Sequence, residues 1–92
     1  MGILDAKVAL VTGAGQGIGR GIARRFAREG AAVVIAELSV EHGALVQQEL
    51  EQIGARALFV RTDVSSKADV RVMVDTAVTA FGRLDILVNN AI

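Results

Sequence analysis

The feature that most constrains this chain is a cluster of glycines between a β-branched run and an amphipathic segment. Lys7–Val11 predicts a buried strand, and residues 17–29 predict a helix. The glycines in between are Gly13, Gly15, Gly17 and Gly19. Backbone N–H groups in such a loop can come very close to anion oxygens, and the N-terminus of the helix adds its positive dipole end. A ligand that carries phosphate groups is therefore expected at this loop.

The spacing of the glycines distinguishes between the known glycine-rich phosphate-binding motifs. The common G-x-G-x-x-G pattern fails because Ile18 stands five residues after Gly13, whereas T-G-x-x-x-G-x-G fits from Thr12 to Gly19. A P-loop is excluded, since no Lys-Ser or Lys-Thr pair follows the loop. We expect Gly13 to make a tight turn, Gly17 to let a pyrophosphate approach and Gly19 to let the helix pack closely on the sheet.

The rest of the chain alternates strand-like and helix-like segments. After the first helix these are Ala32–Ala36 with Glu37 at its end, a helix from the N-cap Ser39 to Ile53, Arg56–Thr62, a helix from Ser66 to Phe81, and Asp85–Val88. The order β-α-β-α-β-α-β predicts an α/β protein, a partial doubly wound Rossmann fold with a parallel sheet of order 3-2-1-4. Residues 1–92 are expected to form one dinucleotide-binding domain.

The helices show apolar stripes that we expect to face the sheet, two helices on one face and the third on the other. The predicted stripes are Ile18, Ile22 and Phe26; Val46, Leu50 and Ile53; and Val70, Val74, Ala77, Val78 and Phe81. The chain is 52% hydrophobic and 3% aromatic, which suits strands that are buried on both faces.

Composition excludes several classes of function. Ten acidic and ten basic residues give no net charge, so we expect no nucleic-acid partner and no membrane partner. The chain has no cysteine and a single histidine, His42, which we expect to be solvated, so no metal site is expected. No leader-like or membrane-spanning run is present, and the expected location is cytoplasmic.

Three ordered motifs resemble the short-chain dehydrogenase/reductase family: Thr12–Gly19, Asp63-Val64 and Asn89-Asn90-Ala91. One departure is Ile92, where the family usually has glycine. The resemblance implies that Asp63 and Val64 hold the adenine edge of the cofactor and that Asn90 lines a cofactor ribose. Capping of the third helix is the alternative role for Asp63.

The resemblance also implies that hydride transfer needs a serine and a Tyr-x-x-x-Lys pair. This chain contains no tyrosine, so we assign no catalytic residue to it. The chain alone, or its homo-oligomer, is not expected to be catalytically competent.

NAD is the expected cofactor, in preference to NADP. Glu37 stands eighteen residues after Gly19, where a carboxylate can accept hydrogen bonds from the adenosine ribose hydroxyls. At ~4 Å and an effective dielectric near 20, it would repel a 2′-phosphate charge by roughly 4 kcal/mol before screening. The loop position that is often basic in NADP-dependent relatives is Gln16 here. Gly15, Gln16 and Ile18 complete the predicted cofactor loop.

Three interpretations remain open at this point. The chain is the cofactor-binding portion of a short-chain dehydrogenase, one half of a split enzyme whose partner supplies the catalytic residues, or a structural module with a vestigial loop. We also expect a homodimer through the exposed sheet face or the edge of the fourth strand, which is apolar.

Overall fold

The computed structural model describes residues 2–90. Seven elements alternate along them, and every boundary lies within one residue of the sequence prediction. They are β1 (Val8–Thr12), α1 (Gly17–Arg28), β2 (Ala32–Glu37), α2 (Val40–Gln52), β3 (Ala57–Arg61), α3 (Lys67–Phe81) and β4 (Ile86–Val88).

The four strands form one parallel sheet in the predicted order β3-β2-β1-β4. Leu10 of β1 pairs with Val34 of β2 on one side and with Leu87 of β4 on the other. The carboxyl ends of β1, β2 and β4 therefore lie side by side, and the loops that follow these strands meet at one edge of the sheet.

Two cores lie on opposite faces of the sheet, as predicted. The core on one face combines Val11 and Ile35 with Ala23 of α1 and Leu50 of α2. The core on the other face is smaller and combines Leu10 and Val34 with side chains of α3. With two helices on one face and one on the other, the sheet is covered more completely on the first face.

Strand burial differs between the centre and the edges of the sheet. Every residue of β1 and β2 is buried, whereas β3 and β4 contain only partly buried and exposed residues. The expectation of strands buried on both faces holds for the two central strands. It is wrong for β3 and β4, because each of them has a neighbouring strand on one side only among the described residues.

Three residues of the predicted apolar stripes face solvent. Ile18, Ile53 and Val78 are 77%, 52% and 45% exposed. In α1 the buried stripe is Gly19, Ala23 and Ala27, one residue away from the predicted Ile18 stripe. The buried position on α3 that the prediction missed is Met73. Small residues thus form the fully buried face of α1, while its large side chains Ile22 and Phe26 are partly buried against the same core.

The ends of the helices follow their sequence signals. Ser39 and Ser66 cap α2 and α3 by accepting from the backbone N–H three residues later. Gly30, Gly54 and Gly82 follow the three helices with positive φ, a backbone conformation that glycine adopts without strain. These caps set where each chain segment returns to the sheet.

Candidate functional site

The loop between β1 and α1 is shaped by two glycines with positive φ. Gly13 has φ of 64° and Gly17 has φ of 59°. The Gly13 N–H donates to the Ala36 carbonyl at 2.8 Å, which joins the loop to the end of β2. A Cβ built on Gly17 would meet no atom within 4 Å, so the loop faces open space there. Both predicted roles, a tight turn at Gly13 and a free approach at Gly17, suit this geometry.

Gly19 makes a different close contact from the one expected. A Cβ on Gly19 would collide with the Gly13 carbonyl and would lie 2.7 Å from Asn90 Nδ2. The atoms nearest to position 19 therefore belong to the glycine loop and to Asn90, the second residue after β4. The reason is that Gly19 lies in the first turn of α1, next to the loop that precedes the helix.

The N-terminus of α1 is uncapped in the described part of the chain, unlike those of the other two helices. Its N-cap residue, Gln16, makes no side-chain hydrogen bond to the first turn, and the first turn has no acidic residue. In α2 and α3 the N-cap residue is a serine whose side chain accepts a hydrogen bond from the first turn. The first turn also contains an acidic residue, Glu41 in α2 and Asp69 in α3. The first N–H groups of a helix have no intrahelical partner. An anion at this end of α1 would find both free donors and a favourable dipole.

Glu37 lies at the end of β2 and is 8% exposed. One carboxylate oxygen accepts from the Gly15 N–H at 2.9 Å, and the other accepts from the Ser39 N–H at 2.8 Å. The acidic side chain that the sequence singled out is therefore fixed between the glycine loop and the start of α2.

A cleft of about 470 Å³ brings four of the predicted site residues together. Its lining residues are Gly13, Ala36, Glu37, Leu38, Thr62, Asp63, Val64 and Ser65. The sequence did not point to Ala36, Leu38, Thr62 or Ser65 as site residues. Each is an immediate chain neighbour of an assigned residue, because Ala36 and Leu38 flank Glu37, Thr62 precedes Asp63 and Ser65 follows Val64. Position along the chain is the signal that could have found them.

Asp63 organises the loop between β3 and α3. Its carboxylate accepts from the Ser65 hydroxyl at 2.6 Å and from the Ser65 N–H at 2.9 Å. These hydrogen bonds lower the pKa of Asp63 below its ordinary value. Ser66, not Asp63, accepts the capping hydrogen bond from α3, through the Asp69 N–H. The carboxylate of Asp63 therefore stays charged at the mouth of the cleft, where Val64 is 37% exposed.

Residues after β4 connect to the end of β1 through Thr12. The buried Thr12 hydroxyl accepts from the Asn90 N–H at 2.9 Å and donates to the Val88 carbonyl at 3.3 Å. The Asn90 side chain reaches the Gly13 carbonyl at 3.5 Å. Asn90 thus lies against the glycine loop, while the Ala91 of the predicted motif and Ile92 fall outside the described residues.

A second cavity, of about 400 Å³, lies on the α2 side of the glycine loop. Gly15, Gln16 and Gly17 line it together with residues of α1 and α2. Arg20 and Glu49 form a two-point ion pair there. His42 also lines it, and its Nδ1 is shielded from solvent and has no hydrogen-bond partner among residues 2–90, so the expectation of a solvated ring is wrong at that atom. The predicted site residue Ile18 lines neither this cavity nor the cleft.

The sequence between residues 7 and 91 matches the family model described as short chain dehydrogenase. The chain belongs to the short-chain dehydrogenase family. A relative from Aspergillus oryzae, the short chain dehydrogenase/reductase astE, is 51% identical over 89 residues, which are 96% of this chain and 34% of that protein. This chain spans about one third of the length of the curated relatives that it matches.

Solved short-chain dehydrogenase structures share the fold. A 7α-hydroxysteroid dehydrogenase in complex with NADH and 7-oxo glycochenodeoxycholic acid superposes with a TM-score of 0.89 at 39% identity, covering 91% of this chain and 33% of that one. A short chain dehydrogenase/reductase from Burkholderia phymatum in complex with NAD gives 0.90 at 40% identity, covering 95% and 31%. This chain corresponds to the N-terminal, Rossmann-type portion of such oxidoreductases.

None of the helices in residues 2–90 combines the length and the apolar character needed to cross a membrane. The absence of tyrosine from all 92 residues agrees with a match to about one third of the relatives' length.

Proposed function

We propose that this chain binds NAD at the glycine loop, as the cofactor-binding portion of a short-chain dehydrogenase. The observation that carries the proposal is the uncapped N-terminus of α1, which meets the open space in front of Gly17. The cleft that contains Glu37 and Asp63 lies on one side of the same loop. An anion site at the helix end and polar groups in the cleft match the central pyrophosphate and the adenosine end of an adenine dinucleotide.

Different predicted site residues bind different parts of the cofactor. The pyrophosphate lies against the loop and first turn, which comprise Gly13, Gly15, Gln16, Gly17, Ile18 and Gly19. The N–H groups of Gly13 and Gly15 donate to Ala36 and Glu37, so the donors to the pyrophosphate come from the other positions. Glu37 binds the adenosine ribose. Asp63 accepts from the exocyclic amine of adenine, and the Val64 N–H donates to a ring nitrogen. Asn90 binds the ribose on the nicotinamide side. The two related structures solved with NADH or NAD support a nicotinamide dinucleotide as the ligand.

NAD is preferred to NADP because Glu37 offers a fixed negative charge at the ribose. A carboxylate accepts hydrogen bonds from both ribose hydroxyls but repels a 2′-phosphate. Gln16 offers no cation to offset that repulsion. Replacing Glu37 with glutamine is expected to strengthen NADP binding relative to NAD binding by about tenfold. Equal changes in the two affinities, measured by calorimetry, would refute the assigned preference.

The position of the pyrophosphate is tested at Ile18, whose side chain is 77% exposed in the first turn of α1. Ile18→Glu places a negative charge at the helix N-terminus, which stabilises the helix by about 0.3–1 kcal/mol but repels an incoming phosphate. Ile18→Gln is the matched control without the charge. We expect NAD affinity to fall at least fivefold in Ile18→Glu and to change less than twofold in Ile18→Gln. Equal affinities in the two variants would place the phosphates elsewhere.

Bound NAD would supply a hydride acceptor, and the chain's own residues would hold and orient it. Chemistry would then need a serine, a tyrosine and a lysine from outside these 92 residues. Oxidoreductase activity of the parent type, alcohol and carbonyl interconversion, is therefore proposed only for an assembly that contains them. Mixing this chain with a protein that carries such residues and measuring NAD reduction tests the split-enzyme alternative.

We further propose that residues 1–92 form one cytoplasmic domain that associates as a homodimer. Val72 and Val78 on α3 and Leu87 on β4 are 45–53% exposed. The helix α3 packs on the less covered face of the sheet, and Leu87 pairs with Leu10, whose side chain faces α3. Burial of these side chains against a second copy would be favourable. Light scattering that reports a monomer across the micromolar range would contradict the homodimer.

A further inference from the structure

The carboxylate of Glu37 is held at both oxygens by backbone donors from two different segments. The Gly15 N–H belongs to the glycine loop, and the Ser39 N–H belongs to the start of α2. The side chain is 8% exposed, so little solvent competes for these hydrogen bonds. Glu37 therefore has its orientation before any ligand arrives.

The two backbone donors leave capacity for a ligand. An ionised carboxylate has about four lone-pair sites, two on each oxygen. One hydrogen bond at each oxygen leaves one site on each oxygen free for a ligand hydroxyl. A ribose presents two neighbouring hydroxyls, and the fixed carboxylate can meet both.

The absence of a side chain at position 15 makes this arrangement possible. A Cβ on Gly15 would lie 2.6 Å from Glu37 Cγ and 2.7 Å from Oε1. The backbone of Gly15 itself does not need glycine, because its φ is not in the positive range. The three atoms nearest to such a Cβ all belong to Glu37, so an added methyl group would displace the carboxylate.

We propose that Gly15 is a positioning residue that sets the preference for NAD over NADP by fixing the carboxylate of Glu37. This inference rests on the proposed function and deepens it. A fixed carboxylate cannot swing away from a 2′-phosphate, whereas a displaced one both loses the ribose hydroxyls and relieves the repulsion. Gly15 therefore acts on the ratio of the two affinities more than on binding of the shared pyrophosphate.

The test is Gly15→Ala, with Gly21→Ala as the matched control. Gly21 lies on α1, and a Cβ there would meet nothing within 4 Å. Titrations with NAD and NADP, each followed by calorimetry, give the affinity ratio for each protein. We expect Gly15→Ala to lower the NAD-to-NADP ratio about tenfold, which corresponds to about 1.4 kcal/mol, and Gly21→Ala to leave it within twofold. An unchanged ratio in Gly15→Ala overturns the inference.

A double-mutant cycle separates positioning from a general disturbance of the loop. In a Glu37→Gln background the carboxylate is already gone, so Gly15→Ala is expected to have no further effect on the ratio. Additive effects of the two substitutions would show that Gly15 acts independently of Glu37 and would overturn the inference.

A second pair of variants acts on the other donor, and it serves if Gly15→Ala does not fold. Ser39 has φ of −80°, close to the angle that proline requires. Ser39→Pro and Ser39→Ala both remove the capping hydroxyl, but only Ser39→Pro removes the N–H that binds Glu37. The inference predicts a lower ratio in Ser39→Pro alone, and equal ratios in the pair contradict it.

The wild-type titrations separate failure of this inference from failure of the proposed function. If the folded wild type binds neither dinucleotide, or binds both equally, the proposed function fails and the inference falls with it. If the wild type prefers NAD and Gly15→Ala keeps the same preference, the proposed function stands and only the inference is wrong.

Discussion

Val8 and Asp85 exchange two hydrogen bonds that join the start of β1 to the start of β4. The Val8 N–H donates to Asp85 Oδ2 at 2.8 Å, and the Asp85 N–H donates to the Val8 carbonyl at 2.9 Å. Arg83 adds two hydrogen bonds to the other carboxylate oxygen. The strand that positions Asn90 is therefore aligned with β1 at both ends, by Asp85 at its start and by Thr12 at its end.

These hydrogen bonds predict a pH dependence of stability. The contacts with Arg83 and Val8 lower the pKa of Asp85, so the unfolded chain binds a proton at this residue more readily than the folded chain does. The stabilisation is therefore complete above the ordinary pKa of about 3.9 and is lost as the pH falls through the lower, folded value. We expect Asp85→Asn to be less stable than wild type at pH 6 in urea unfolding, and the difference to shrink towards pH 3.

The control for this prediction is Asp75→Asn, which removes one carboxylate from the exposed side of α3. It changes the net charge by the same amount without touching β1 or β4. If the two variants differ from wild type equally at every pH, the ion pair at Asp85 makes no specific contribution.

Two glycines within helices should respond in opposite directions to alanine. A Cβ on Gly21 would meet nothing within 4 Å, so Gly21→Ala should raise the free energy of unfolding by about 0.5–1 kcal/mol through helix propensity. A Cβ on Gly43 of α2 would collide with the ring of Phe59 on β3. Overpacking of this kind costs about 1–3 kcal/mol, which exceeds the propensity gain. Thermal unfolding of the two variants checks the opposite signs, and stabilisation by Gly43→Ala would show that Phe59 moves aside freely.

The Thr12 hydroxyl should matter to stability through the backbone of Asn90. Thr12→Val keeps the shape of the side chain but leaves the Asn90 N–H and the Val88 carbonyl without their partner. The expected loss is about 1–3 kcal/mol in urea unfolding, whereas Thr12→Ser, which keeps the hydroxyl, should lose less. Equal losses in the two variants would show that the hydroxyl contributes no more to stability than the packing of the methyl group, which only Thr12→Ser removes.

The order of the elements and the sheet topology could be predicted from local signals. The glycines after each helix, the serine caps and the β-branched runs each depend on a few neighbouring residues. Parallel order followed because crossover connections are right-handed. The predicted residues Gly13, Glu37, Asp63 and Val64 came together in one cleft because they lie at or just after the carboxyl ends of neighbouring parallel strands.

The details that depend on tertiary packing could not be predicted in this way. Periodicity placed Ile18 in the buried stripe of α1, whereas Gly19, Ala23 and Ala27 form it. Short side chains allow the closest approach to a sheet, and a hydrophobicity pattern gives them little weight. The hydrogen bonds from the Gly15 and Ser39 N–H groups to Glu37 could not be predicted either, because every residue except proline has a backbone N–H and the sequence does not show which of them donate to a given side chain.

The most direct test of this account is a calorimetric titration of the wild-type chain with NAD and with NADP, with folding verified by circular dichroism. We predict saturable binding of one NAD per chain and binding of NADP that is at least tenfold weaker. A folded chain that gives no saturable heat with NAD up to millimolar concentration would contradict it. The glycine loop would then be a structural turn that keeps the shape of a cofactor site without the function.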